Sequence, residues 1–519
     1  MTYSILFPEG TVCNLQKNQP ACFKDLGLDQ LFTGFTAASD QIRSVLYTPL
    51  SETKLIQYRQ DVMRDLENKE ARELFSDFAN LICNVNGEMN TIRKTFPDFA
   101  GPVPRYMVQG RLFYCAERYC NAVTECYEKS RNFVFKSAGL SGCIGYLKQY
   151  YKSAPFVNFR EQVKRLHSEA DSMHYCMLIK DRTLRIRKYE GQSDSAERIH
   201  ALFDRFRQGD VREYRRIIRE EPYDEHAEEA VLHILSGLYK EFFSGLRAFC
   251  STYSEFEDKM LLKFADELNF YLFWIAETLP LEEKGLSFCF PAVQKKSGSI
   301  FVRESFDIVL ACKKDGSVVT NDITMNDPER IIVVTGPNQG GKTTYARAFG
   351  QIHYLASLGL TVPGAAAQVK LFDTIYTHFE RKEDMSSGNG KLQDDFLRLH
   401  DILKTATSDS IIIINEIFSS TTAADAAELG MKMMDMIASL GAVSVVVTFL
   451  DELARHGPET VSMMSMVDSE SSGRRNFKIE RKPPDGLAYA LQIAEKYRLT
   501  YESLNRRLNT THECASDVQ

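Results

Sequence analysis

Residues 331–344 read Ile-Ile-Val-Val-Thr-Gly-Pro-Asn-Gln-Gly-Gly-Lys-Thr-Thr. Five β-branched residues in succession predict a buried strand, and the glycines ahead of Lys342 predict a loop that opens a helix. Gly336, Pro337, Asn338, Gln339, Gly340, Gly341, Lys342, Thr343 and Thr344 satisfy the phosphate-loop pattern in the required order of strand, loop and helix. Glycines let consecutive amides face a phosphate, and the helix that follows adds its positive N-terminal end. Lys342 would neutralise β/γ oxygens, and Thr343 would offer its hydroxyl to Mg2+. The plainer alternative is a glycine-rich turn of no chemical purpose. The loop predicts a site for ATP with Mg2+.

A second β-branched run at 411–414 ends in Asn415 and Glu416. That is where nucleotide-hydrolysing enzymes hold magnesium and orient the attacking water. Asn415 supplies an amide oxygen without negative charge, and Glu416 retains the chemistry of a water-activating base. The other reading of Glu416 is a solvated carboxylate at a strand end. A third run at 443–448 completes the signature of a buried sheet in an α/β domain that starts near residue 290.

Upstream, apolar residues recur at helical spacing. Leu55, Val62 and Leu66 form one segment, with Ser51 as N-cap, and Leu74, Phe78 and Leu81 form the next. Residues 104–170 read as helical but interrupted at Gly139, Gly142, Gly145 and Pro155. Alternation at 175–179 and 184–189 predicts a β-hairpin. Two long amphipathic helices follow, one from Val231 through Phe249 and one from Leu261 through Ile275.

The 519 residues suffice for about three domains at roughly 150 residues each. A 44% hydrophobic and 26% charged composition excludes long disorder. The net charge of -7 means that any nucleic-acid contact must come from a local basic surface. Twelve cysteines without CxxC spacing predict buried thiols in a reducing, cytoplasmic setting. No run of about 18 uncharged apolar residues predicts a membrane span.

Residues 331–347 resemble the ATPase motif of the MutS family of DNA mismatch proteins, and the likeness continues through Val362 and Pro363. Asn321, Asp322 and Ile323 are similar to that family's segment ahead of its loop. Residues 383–388 resemble its DDLASG loop, which implies that Ser387 and Gly388 reach a partner subunit's nucleotide. Gly390 and Leu392 stand where the family has serine and phenylalanine. Residues 414–426 keep Glu416, Thr421 and Asp425 but lose the aspartate and glycines. Thr448 is retained, whereas Phe449 occupies the place of a γ-phosphate-sensing histidine. Pro49, Leu50 and Arg59 resemble the start of the family's core domain.

The resemblance implies an α/β C-terminal P-loop ATPase domain of ABC type, preceded by a mainly α core and lever domain with a small β clamp element. The implied domains are a helical core over 1–130, lever helices over 131–289 with a clamp hairpin near 175–189, and an ATPase domain over 290–519. The last ends in a helix-turn-helix near 485–499 that implies a homodimer. The expected protein is a short form without the N-terminal mismatch-recognition and connector domains, so mismatch reading is not supported. Phe7, Pro8 and Glu9 spell the family's FxE motif as a coincidence.

Arg182, Arg185, Arg187 and Lys188 on the hairpin, with the arginines over 205–219, read either as a DNA-facing tip or as a solvated face. In the second case Glu197, Asp204, Asp210, Glu213 and Glu220 supply ion pairs. The expected function is a slow, DNA-binding, MutS-like ATPase in DNA repair or recombination. The rival is a nucleotide-gated scaffold for a protein partner. A small-molecule kinase or GTPase is disfavoured by the lack of an NKxD element.

Overall fold

The structure is a computed structural model that describes residues 3–11, 13–37, 39–97, 105–180, 183–191, 225–295, 298–314, 318–380, 390–467, 475–484, 499–501 and 503–504. In chain order the helices are α1 (Cys22–Leu26), α2 (Leu28–Leu31), α3 (Asp40–Tyr47), α4 (Thr53–Asp65), α5 (Lys69–Thr95), α6 (Tyr106–Ser130), α7 (Ala138–Tyr151) and α8 (Ala154–Asp171). After the hairpin β1 (Tyr175–Lys180) and β2 (Thr183–Lys188) come α9 (Glu225–Leu238), α10 (Lys240–Thr252) and α11 (Lys259–Glu283). Packing divides the chain into two units. One holds Met1–Tyr3, Lys69–Phe135 and Leu140–Leu268; the other holds Ser4–Asn68, Lys136–Gly139 and Asn269–Gln519.

In the first unit α5 and α6 pack along each other through apolar stripes of helical period. The stripe on α5 is Phe75, Phe78, Ile82, Val85 and Met89; that on α6 is Leu112, Cys115, Tyr119 and Val123. Glu229 of α9 caps α6 with both carboxylate oxygens, accepting from the amides of Tyr106 and Met107 at 2.9 Å. The hairpin lies where the alternation placed it, in antiparallel register with Met177 opposite Ile186 and Leu178 opposite Arg185. On one face Ile186 is buried and the Lys188 ammonium sits 5.1 Å from the Tyr239 ring centre, while Tyr175 and Met177 are exposed. The other face exposes Leu178, Arg185 and Arg187. Arg182 and residues 205–219 lie outside the described residues.

Three local expectations are corrected. The glycines near 140 do not interrupt a helix, because α7 runs through all three. Two of them serve close approach: a Cβ on Gly139 would come 2.9 Å from Val62, and one on Gly142 would come 2.9 Å from Tyr3, whereas Gly145 faces open space. The segment from Val231 to Phe249 is two helices, broken at Tyr239, whose hydroxyl donates to the His174 carbonyl at 2.7 Å. The N-cap of α4 is Glu52 rather than Ser51.

The second unit is mixed α/β. Its further elements are β3 (Phe288–Cys289), β4 (Ala292–Gln294), β5 (Ile300–Ser305), α12 (Ile308–Lys313), β6 (Asn321–Met325), β7 (Ile331–Thr335), α13 (Lys342–Ser357), β8 (Val362–Pro363), β9 (Ala366–Lys370) and β10 (Ile375–Phe379). Next come α14 (Lys391–Thr405), β11 (Ile411–Asn415), α15 (Ala423–Leu440), β12 (Val443–Val447), β13 (Thr460–Val467) and β14 (Arg475–Arg481). The main sheet has the order β10-β11-β12-β7-β13-β14, parallel throughout except for β14 at one edge. Every residue of β7, β11 and β12 is buried, as continuous β-branched runs require in a sheet covered on both faces. Ile331, Val333, Ile412, Ile414 and Val446 pack with Leu399 of α14 and Met433 and Ile437 of α15. Phe7 belongs to this unit, its ring centre 4.8 Å from the buried Arg59 guanidinium.

Candidate functional site

Strand β7 delivers the chain into the loop 336–341, whose shape depends on positive φ at Gly336 (109°), Gln339 (60°) and Gly341 (93°). Only glycine takes the first and third without strain. The floor of the loop is Ser465 of β13, whose Oγ donates to the Gly340 carbonyl at 2.7 Å. Lys342 opens α13 with its ammonium turned under the loop, donating to the carbonyls of Gly336 at 2.7 Å and Pro337 at 3.3 Å and to Asn338 Oδ1 at 3.3 Å. The lysine thus sits at the positive end of a 16-residue helix.

Two residues singled out for magnesium are brought together although 72 positions apart: Thr343 Oγ1 donates to Asn415 Oδ1 at 2.9 Å. Glu416 follows with φ 57° and its amide bonded to the Val447 carbonyl at 2.9 Å, so the chain turns sharply as it leaves β11. Thr448 is buried, its amide on the Val334 carbonyl and its Oγ1 accepting from the Leu450 amide at 3.0 Å. Phe449 beside it is 49% exposed. Gly390 precedes α14, whereas Ser387, Gly388 and the segment 485–498 lie outside the described residues. Among the described residues no group of three His, Cys, Asp or Glu forms a metal cluster. A Mg2+ site here would therefore use hydroxyl and amide oxygens, hard neutral donors that suit this ion.

A cavity of about 380 Å³ opens beside the loop. Its lining includes Gln339, Gly341, Lys342, Thr343 and Glu416 together with the apolar Leu310, Val318, Val319 and Phe477. Polar and apolar groups thus share one cavity beside the loop, the mixture common in small-molecule sites. Phe477 was not anticipated. It lies on β14, 46% exposed and at φ 58°, held by Asn321, whose Nδ2 donates to the Phe477 carbonyl at 3.1 Å and whose Oδ1 accepts from the Ile479 amide at 2.8 Å. Asn321 carried a sequence signal; the phenylalanine, 156 residues away, carried none.

Helix α13 also carries the buried His353, with Nδ1 on the Phe349 carbonyl at 2.9 Å. Burial pushes its pKa down to about 4 from the ordinary 6.5. The unfolded chain therefore binds more protons between those values, and stability is lost as pH falls through that window. Lowering pH from 7 to 5 should cost about 2 kcal/mol through this group alone. Denaturant midpoints measured against pH should show a shallower fall in His353→Leu than in the parent; equal slopes would contradict the assignment.

The fold defines this unit as a mixed α/β domain with a largely parallel sheet and a glycine-rich loop between β7 and α13. Residues 332–510 match the protein family described as MutS domain V. The DNA mismatch repair protein MutS of an Exiguobacterium species is 30% identical over 207 residues, 39% of this chain and 25% of the relative. DNA mismatch repair protein MutS 2 of Halobacterium salinarum is 27% identical over 186 residues, 35% and 22% of the two chains. The MutS of Thermotoga maritima is 27% identical over 194 residues, 36% and 24%. Over its C-terminal part the chain is therefore similar to MutS proteins, and residues 332–510 match their domain V. The match spans about a quarter of the length of these relatives. Among the described residues no helix is long and apolar enough to cross a membrane.

Proposed function

We propose that this chain binds ATP with Mg2+ at the 336–344 loop, hydrolyses it slowly, and uses the nucleotide to control its hold on DNA. The observation that carries the reading is the meeting of Thr343 and Asn415 at 2.9 Å beside the same cavity that Lys342 and Glu416 line. The domain is then an ABC-type P-loop ATPase. Loop amides and Lys342 bind the β- and γ-phosphates, and Phe477, Val318 and Val319 cover the base. Thr343 and Asn415 would hold Mg2+, which supplies positive charge to the phosphate oxygens when bound. Glu416 orients a water and accepts its proton as the water oxygen bonds to the γ-phosphorus and the bond to the bridging oxygen breaks, giving ADP and phosphate. Asn415 adds no charge at the metal and Phe449 brings no hydrogen-bonding side chain, so turnover is slow.

The exposed hairpin face with Arg185 and Arg187 supports contact with DNA phosphates, which need guanidinium groups rather than base-reading side chains. Helical levers would carry ATP-driven closure of a homodimer to this clamp, with Ser387 and Gly388 completing the partner's site. The test is binding of fluorescent homoduplex, mismatched and branched DNA across salt, with and without ATP. The expected result is steep salt dependence, ATP sensitivity and no preference for a mismatch. Arg185→Ala with Arg187→Ala should lower the salt slope by about 2. Indifference to all three DNAs at low salt would leave a nucleotide-gated scaffold for a protein partner as the better reading.

A further inference from the structure

Helix α13, which starts at the loop, is tied to the N-terminal segment of the same unit by a hydrogen bond at each turn. Arg347 Nε donates to the Asp25 carbonyl at 3.0 Å, Gln351 Nε2 to Leu26 at 2.8 Å, and Tyr354 Oη to Leu46 at 2.8 Å. The Leu50 amide donates to the Ser357 carbonyl at 3.0 Å, and Arg59 Nη1 reaches Leu358 at 3.0 Å. Gly350 permits the close approach: a Cβ there would come 2.5 Å from Leu26 and 2.7 Å from Ile413 of β11.

Gln351 stands at the centre of this seam and is fully buried. Its Nε2 donates to Asp307 Oδ1 at 2.8 Å as well as to Leu26, and its Oε1 accepts from the Ile308 amide at 3.1 Å. Asp307 in turn caps α12, accepting from the amides of Val309 at 3.0 Å and Leu310 at 3.2 Å. Asp307 and Leu310 both line the cavity beside the loop. One buried amide therefore fixes three things against each other: the helix that follows the loop, the short helix whose Leu310 lines the cavity, and α1. A buried polar node of this kind is costly to leave half-bonded, so its geometry is strongly enforced.

We propose that Gln351 is a positioning residue for the nucleoside half of the ligand, setting the distance between the phosphate loop and the α12 wall. The inference rests on the nucleotide reading above and adds the division of labour within it: the phosphates are held by residues 336–343, and Leu310 of α12 joins Phe477, Val318 and Val319 around the base only while Gln351 keeps α12 in register. A residue that merely stabilised the fold would affect all ligands of the site alike. Gln351→Met keeps the volume and removes all three bonds.

The test uses the full chain with Mg2+. Affinity for ATP is measured by calorimetry beside affinity for inorganic tripolyphosphate, which has the phosphates without the nucleoside. Gln351→Met should weaken ATP about tenfold and leave tripolyphosphate within about twofold. Asp307→Ala, which removes the α12 cap from the cavity side, should lower the same ratio and decides the matter if the methionine variant does not fold. Equal loss of both ligands, or loss of neither, in a folded variant overturns the proposal while the nucleotide reading stands. Failure of the unsubstituted chain to bind either ligand overturns both.

Discussion

Gly340→Ala is expected to abolish ATP binding, raising the dissociation constant by at least about a hundredfold, roughly 2.7 kcal/mol. A Cβ at this position would run into Ser465 Oγ and come 2.9 Å from the Pro337 carbonyl and 3.1 Å from Ser465 Cβ. Ser465 cannot retreat: it is buried on β13, which is paired in parallel register with β7 immediately before the loop. The loop must therefore lift away from its floor. The hydrogen bond from Ser465 to the Gly340 carbonyl is then lost, and with it the arrangement of amides that would face the phosphates. Overpacking of this kind costs about 1–3 kcal/mol of stability, so the thermal midpoint should fall as well. Adding Ser465→Gly removes one of the two obstructions, and part of the affinity should return. Calorimetric titration of the two variants checks this, since simple additivity of the two losses would deny the contact.

Glu416→Gln should reduce ATP turnover at least about a hundredfold while leaving ATP affinity within about threefold. The turn at Glu416, with φ 57°, carries the chain off β11 beside Asn415 and puts the side chain on the cavity rather than in the sheet. Glutamine keeps the size and the backbone preference and removes only the capacity to take a proton. Steady-state phosphate release set beside binding separates the two roles. If both variant and parent release phosphate at the same rate, Glu416 is not the base; if the parent releases none, the nucleotide acts by binding alone.

What was legible in the sequence was local. The strand, loop and helix over 331–357 follow from contiguous residues, and so do β11, β12 and the hairpin, because β-branched runs and alternation are short-range signals. The pairing of Thr343 with Asn415 was implied once both motifs were placed at strand ends of one sheet. Phe477 and Ser465 were not legible, because they reach the loop from strands more than a hundred residues later and have no motif of their own. The glycines of α7 misled, since a helix interrupter and a glycine for close packing look alike in sequence. The attachment of residues 4–68 to the α/β unit was hidden for another reason. Gln351, Tyr354, Arg347 and Arg59 all bond to main-chain carbonyls, and such contacts leave no pattern in the partner residues.

The most direct measurement is calorimetric titration of the full chain with ATP in the presence of Mg2+, beside the Lys342→Ala variant. Lys342 is the only charged group turned under the loop among the described residues that form it, and its removal deletes the cation meant for the β/γ oxygens. The predicted result is one saturable site per chain in the parent and none in the variant. Absence of saturable binding at millimolar ATP, or equal binding by both proteins, would contradict the assignment of this loop as the nucleotide site.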